Sequence, residues 1–268
     1  MTAYLSASAA SWAVLVFTLG TALSAELQRH LDPTVGAQPL IELDLGEAFA
    51  SAAILSLLLA SPTRPDLNLR DLGLLVLCAL SWFLPEFHAV YLGMTLAGLW
   101  LFFRQSQGSA LREIGQVWLA LSLCQLWGKL AFKVLYVVIE PYEVGLMARI
   151  GQWVFPGLTR SGFQLSTQAD WSIVILEGCS AFHNLALATL LWLCVLKIAG
   201  RRADRGAFAS LAISAVLIVA INVARILAMV PSKDAYAFWH DGSGAAFVAL
   251  VSLAASVLPI MIRLERQA

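Results

Sequence analysis

Charge is what this chain has least of. Of its 268 residues only 13% are Asp, Glu, Lys or Arg, while 60% are hydrophobic, and a soluble domain of that length cannot hide so much apolar side chain in its core. Lipid has to cover the remainder. The 17 basic and 17 acidic residues cancel, which removes the basic field a nucleic-acid partner would need and leaves no acidic tail. Cysteine is scarce as well, with four residues and no CxxC pair, so neither a dithiol redox motif nor a structural zinc knuckle is expected. No Lys or Arg precedes Arg29; the apolar stretch at 12–23 therefore lacks the charged start of a signal peptide and reads as a retained first span. Internal repeats and low-complexity segments are missing too, which makes 1–268 a single integral membrane domain.

What the sequence does have is a series of apolar runs. A helix crosses a bilayer in roughly 17–25 residues, and about eight runs approach that length: 10–27, 46–60, 72–84, 87–103, 114–139, 178–199, 207–230 and 242–262. The expected fold class is thus an all-α polytopic membrane protein. The third and fourth runs are short and joined by Pro85-Glu86, which fits a tight helical hairpin. Arg64, Arg70, Arg104, Arg112, Lys197, Arg201, Arg202, Arg205, Arg263 and Arg266 fall in one set of alternate loops, and only Arg29, Arg149, Arg160 and Lys233 in the other. Short basic loops stay cytoplasmic. Both termini are therefore expected inside a cytoplasmic (inner) membrane, and the long non-spanning segment 140–177 outside it. Within that segment, 142–155 reads as an interfacial helix, and β-formers around a polar turn in 162–176 read as a small hairpin.

Three cysteines, Cys78, Cys124 and Cys194, lie inside apolar runs, where a thiol packs as a small hydrophobe. Cys179 follows Glu177-Gly178 at the start of a run and precedes Ser180, a boundary position where a thiol meets water. On the expected topology Arg225 lies near the outer end of the seventh span and His240 just before the eighth. Three reactive side chains then share one membrane face. A thiol at a helix N-terminus feels the positive end of the dipole, which favours the nucleophilic thiolate. A histidine removes a proton and later returns it to a leaving amine. An arginine hydrogen-bonds the oxyanion formed when a thiolate attacks a carbonyl. Taken singly, Arg225 reads as a snorkelling charge and His240 as an interfacial residue beside Trp239; together with Cys179 they make an acyl-transfer set. An arginine among Ile221-Asn-Val-Ala-Arg-Ile-Leu-Ala228 is costly at membrane depth, and such residues usually face a bundle interior and serve function.

Glu177-Gly-Cys-Ser-Ala181, Asn222-Val-Ala-Arg225 and His240-Asp-Gly-Ser-Gly244 resemble the three motifs of the exosortase/archaeosortase family, in the family's order. The resemblance covers roughly residues 161–262. It implies a polytopic membrane cysteine transpeptidase that cleaves C-terminal sorting signals, such as PEP-CTERM tails, on exported proteins, without a cofactor or metal. Cys179 would be the nucleophile, His240 the acid/base and Arg225 the stabiliser of oxyanion or thiolate, with Glu177, Ser180 and Asn222 as accessory residues. Two positions depart from the family's pattern: Ala181 stands where glycine is common, and His183 where a basic residue, often arginine, is frequent. His183, four residues after Cys179, would share its helix face as an alternative base, a substrate contact or a packed polar residue. Lys129 and Lys133 form another same-face pair, either snorkelling or holding a substrate carboxylate or lipid phosphate.

Two other classes remain open on the residues alone. Cys179, His183 and His240 could ligate a zinc ion in a metal-dependent hydrolase, although no HExxH or aspartate pair supplies a catalytic carboxylate. Intramembrane Lys129, Lys133 and Arg225 could instead line a transport path, although no inverted repeat supports one. The expected partners are the sorting signal of an exported protein and membrane lipid. The oligomeric state is not legible.

Overall fold

The computed structural model describes residues 6–31, 44–60, 67–105, 109–167 and 170–267. Arg64, one of the charges in the orientation count, lies outside them, as do residues 168–169 of the expected polar turn. The chain divides into two units, residues 1–128 with 189–203 and residues 129–188 with 204–268.

The first unit contains α1 (Ala7–Leu31), α2 (Leu45–Ala60), α3 (Leu69–Ala79), α4 (Phe87–Arg104), α5 (Ala110–Ser122) and a π-helical turn at Leu123–Trp127. The break between α3 and α4 falls where Pro85-Glu86 predicts it. A short 3-10 turn, Leu80–Phe83, ends α3, and the Glu86 carboxylate accepts from the His88 backbone N–H to start α4. Indole N–H groups in an apolar interior need acceptors, and threonines on neighbouring helices supply them. Trp118 donates to Thr18 at 3.0 Å, Trp82 to Thr21 at 3.1 Å and Trp127 to Thr95 at 2.9 Å.

The second unit is built on α6 (Gly128–Val154), α8 (Arg205–Met229), α9 (Lys233–His240) and α10 (Ser243–Glu265), with the start of α7 (Phe182–Ile198) and a small sheet between α6 and α7. The sheet is an antiparallel meander of β1 (Thr159–Ser161), β2 (Gln164–Ser166) and β3 (Ile173–Val174). The β2–β3 pair, Gln164 with Val174 and Leu165 with Ile173, is the hairpin expected over 162–176, and β1 joins it through a tighter turn at Gly162-Phe163 that the sequence reading did not include. Ser161 pairs with Gln164 across it, and Gly162 has φ +61°, a left-handed value that glycine adopts without penalty. Alternation then works as period two requires. Leu165, Ile173 and Ile175 are buried while Val174 and Leu176 are exposed, so one sheet face joins a core formed with Val144, Met147 and Ala148 of α6 and Val223, Ile226 and Leu227 of α8.

That core corrects the reading of 142–155. The segment is not a separate interfacial helix after a span ending at 139; α6 runs unbroken from Gly128 through Pro141 to Val154. A proline inside a helix costs roughly 3 kcal/mol because its ring crowds the preceding turn and it has no N–H to donate. Burial of Val144 and Met147 immediately beyond it offsets that cost.

The α8 helix starts on Asp204, whose Oδ1 accepts from the Ala207 N–H at 2.8 Å and whose carboxylate meets Arg263 of α10 at 2.5 Å. The Ala207 bond first, and Arg263 with it, hold this carboxyl below the usual range. Its support of the helix start is therefore present above the ordinary carboxylate pKa and lost as pH falls through the lowered value.

Among the described residues the architecture is all-α apart from this sheet, and four helical stretches are long and apolar enough to cross a membrane: Ser8–His30, Ala110–Val154, Arg205–Met229 and Ser243–Glu265. Helices α2 and α7 are apolar but shorter, at 16 and 17 residues.

Candidate active site

Cys179 sits on a 3-10 turn, Glu177–Cys179, that leaves the sheet and precedes α7. Its N–H donates to the Leu176 carbonyl at 2.8 Å, and the Ser180 N–H to Glu177 at 3.2 Å. The helix begins only at Phe182, where the backbone N–H donates to Ser180 Oγ at 3.3 Å. Two sequence expectations change here. Cys179 is off the helix, so its spacing to His183 does not place them on one helical face; His183 is exposed in the first turn of α7. The helix start is also already occupied by a carboxylate: Glu143 of α6 accepts from Ser180 Oγ at 3.2 Å and from the Ala181 N–H at 3.3 Å. The positive end of α7 is thereby engaged by Glu143, which leaves thiolate stabilisation to other groups. Cys179 is half-buried, whereas Cys78, Cys124 and Cys194 are buried, as their placement within apolar runs predicts.

The other two motifs meet this turn through α8. Asn222 is buried, and its Nδ2 donates to the Cys179 carbonyl at 2.8 Å. Arg225 lies one helical turn further along the same face, and its Nε donates to the Trp239 carbonyl at 3.2 Å. Two side chains of one helix thus hold the backbone of the residue bearing the thiol and the backbone of the residue before His240. Cys179, Tyr236 and Trp239 all pack on the same core as Val223 and Ile226. The terminal nitrogens of Arg225 carry its remaining donors.

The His240 ring closes α9 and stacks on Tyr236, with centroids 4.7 Å apart and planes 15° apart, while Trp171 meets Tyr236 edge-on at 6.0 Å. His240 Nδ1 is 2.7 Å from Asp241 Oδ1. A carboxylate can only accept, so Nδ1 carries the hydrogen and Nε2 holds the lone pair of the neutral ring. Imidazole oriented by an adjacent carboxylate is the arrangement a proton shuttle needs.

Glu177 is exposed on the turn itself, and Lys129 and Lys133 are exposed in the first two turns of α6, ahead of Tyr136. Among the described residues no three of His, Cys, Asp and Glu converge as a metal-binding group, so Cys179, His183 and His240 do not form the ligand set that a zinc hydrolase would need.

Sequence reasoning missed Glu143, Tyr136 and Asp241. The hydroxyl of Tyr136 is buried, in the neighbourhood of Glu140, Glu143 and Cys179, and Phe132, one turn earlier, stacks on Phe182 with centroids 4.4 Å apart. The stripe Phe132, Tyr136, Glu143 and Met147 follows helical spacing and was legible as a face only once α6 was known to continue through Pro141. Glu143→Ala is expected to slow reaction of Cys179 about tenfold by releasing the Ser180-Ala181 backbone, and Glu143→Gln, which keeps an acceptor oxygen, to recover most of it. The measure is the rate of Cys179 alkylation beside thermal unfolding; equal rates in both variants and wild type would remove Glu143 from the site. No family model, curated protein or solved structure matches this chain.

Proposed function

We propose that this chain is a membrane-embedded cysteine peptidase or transpeptidase, similar to the exosortase/archaeosortase family, that cleaves C-terminal sorting signals of exported proteins. The observation that carries this reading is the pair of bonds from one face of α8, Asn222 to the Cys179 carbonyl and Arg225 to the Trp239 carbonyl. They tie the segments bearing a candidate nucleophile, cation and base to a single helix, as acyl transfer requires. The topology that goes with it has about eight membrane-crossing helices, both termini in the cytoplasm of a cell with an inner membrane, and the site on the extracytoplasmic side.

In this mechanism His240 Nε2 takes the Cys179 proton and the thiolate attacks the scissile carbonyl. Arg225 meets the resulting oxyanion through its terminal nitrogens. Collapse breaks the C–N bond, His240 returns the proton to the leaving amine, and a thioester remains on Cys179. An amine or water then attacks the thioester, with His240 again taking the proton, and the free thiol is restored. On this reading Glu177, Ser180 and Asn222 position the turn, and Lys129 and Lys133, exposed at the start of α6, contact substrate or lipid.

The test is inhibition. Processing of a co-expressed exported protein with a C-terminal sorting tail is expected to stop after thiol alkylation and to continue in a metal chelator. Chelator-sensitive, alkylation-resistant processing would reverse the reading.

A further inference from the structure

The first unit holds a concave site of its own, independent of the reading of Cys179. A cavity of about 280 Å³ lies between α4, α5 and the C-terminal end of α7, with Arg112, Lys197, Arg201 and Arg202 on its polar wall and Phe102 and Leu193 on its apolar one. Glu113 is the carboxylate in the lining, and it is already paired with Lys197, whose Nζ also meets Gln116 Oε1 at 2.5 Å. Among the lining residues, cations outnumber carboxylates four to one.

These cations are held by the local fold. Gly200 has φ +62°, the left-handed position that ends a helix; the Gly200 N–H donates to Lys197 and the Arg201 N–H folds back to Leu196 at 2.9 Å. This closing turn ends α7 just ahead of Arg201 and Arg202, both of which line the cavity. The Arg112 guanidinium lies 4.3 Å from the centroid of Phe102 and donates to the Gln105 carbonyl at 3.2 Å. A ring face and a carbonyl orient this cation without neutralising it.

We infer that this pocket binds a phosphate group, as carried by the headgroup of an anionic phospholipid. Guanidinium groups match phosphate oxygens in geometry as well as charge. The apolar wall beside them fits the first methylenes of an acyl chain, and basic pockets at the ends of apolar helices are where anionic headgroups are held.

The experiment uses the full chain in phosphatidylcholine nanodiscs, alone, with phosphatidylglycerol, or with inorganic phosphate in the buffer, and reads the thermal unfolding midpoint. Phosphatidylglycerol is expected to raise the midpoint by about 2–4 °C. Arg112→Gln is expected to lose most of that rise. Arg205→Gln removes the same charge from a neighbouring position outside the pocket and is expected to keep it. Equal loss in the two variants overturns the site, because the shift then reports only the general basic field. A rise reproduced in full by inorganic phosphate retains the phosphate chemistry and overturns the lipid as its source. Should Arg112→Gln fail to fold, lipid retained by the wild-type protein after detergent extraction decides the matter. Enrichment of phosphatidylglycerol over phosphatidylcholine supports the site and equal retention overturns it.

Discussion

Cys179→Ala is expected to lower release of a C-terminal sorting tail by at least about 10³-fold while leaving the protein folded in the membrane. The second half of that expectation comes from how the residue is held. Its structural bonds are backbone bonds, the N–H to Leu176 and the carbonyl from Asn222, and alanine keeps both. The thiol itself is half-buried at the edge of the core, so little packing is lost. The measurement is precursor accumulation by immunoblot beside the thermal unfolding midpoint. Undiminished processing in a folded Cys179→Ala protein would end the cysteine mechanism and return a transport or non-enzymatic role to the front. Loss of processing together with loss of fold would instead show that the Cys179 turn is structural.

His240→Gln is expected to be the next most severe change, about 10²–10⁴-fold, the usual contribution of a positioned acid/base. Glutamine can still hydrogen-bond but cannot shuttle a proton. The stack on Tyr236 would be weakened too, which is why a second variant is needed. Asp241→Asn leaves the ring and its stack in place and alters only the partner of Nδ1. It is expected to fall between wild type and His240→Gln, because an amide can present its NH2 to Nδ1 and so favour the other ring tautomer. Processing rates for the two variants, compared with alkylation rates of Cys179, separate the roles. Wild-type processing in His240→Gln would exclude this histidine as the base and leave His183, exposed in α7, as the remaining histidine near the motif.

The helices were the most legible part of the sequence, because long apolar runs with few charges have little alternative in lipid. Their ends were less so. The run at 72–84 reads as a span, yet α3 stops at Ala79 and a 3-10 turn follows before Pro85. The segment at 142–155 reads as separate because it mixes apolar with polar residues as an interfacial helix does, yet the buried face of Val144 and Met147 carries α6 through Pro141 and into it. A local signal was outweighed by tertiary packing that one sequence does not display, and Glu143 was overlooked for that reason. The distinction among cysteines was legible: an apolar run on both sides predicts burial, and Glu177-Gly178 ahead of Cys179 predicts a boundary. The partner contacts of Asn222 and Arg225 were not. Sequence placed both in one apolar run, but which backbone carbonyls they reach depends on the 3-10 turn before α7 and on the short helix α9, neither of which has a periodic signature long enough to read.

The central claim, a covalent acyl intermediate on Cys179, is tested most directly by mass spectrometry of the Cys179 peptide after the membrane protein is mixed with a sorting-tail substrate and quenched in denaturant. The mechanism predicts an adduct on Cys179 whose mass is that of the acyl fragment ending at the cut, released by hydroxylamine as a thioester is. Cleavage proceeding with the Cys179 peptide unmodified, and undiminished in Cys179→Ala, would contradict it.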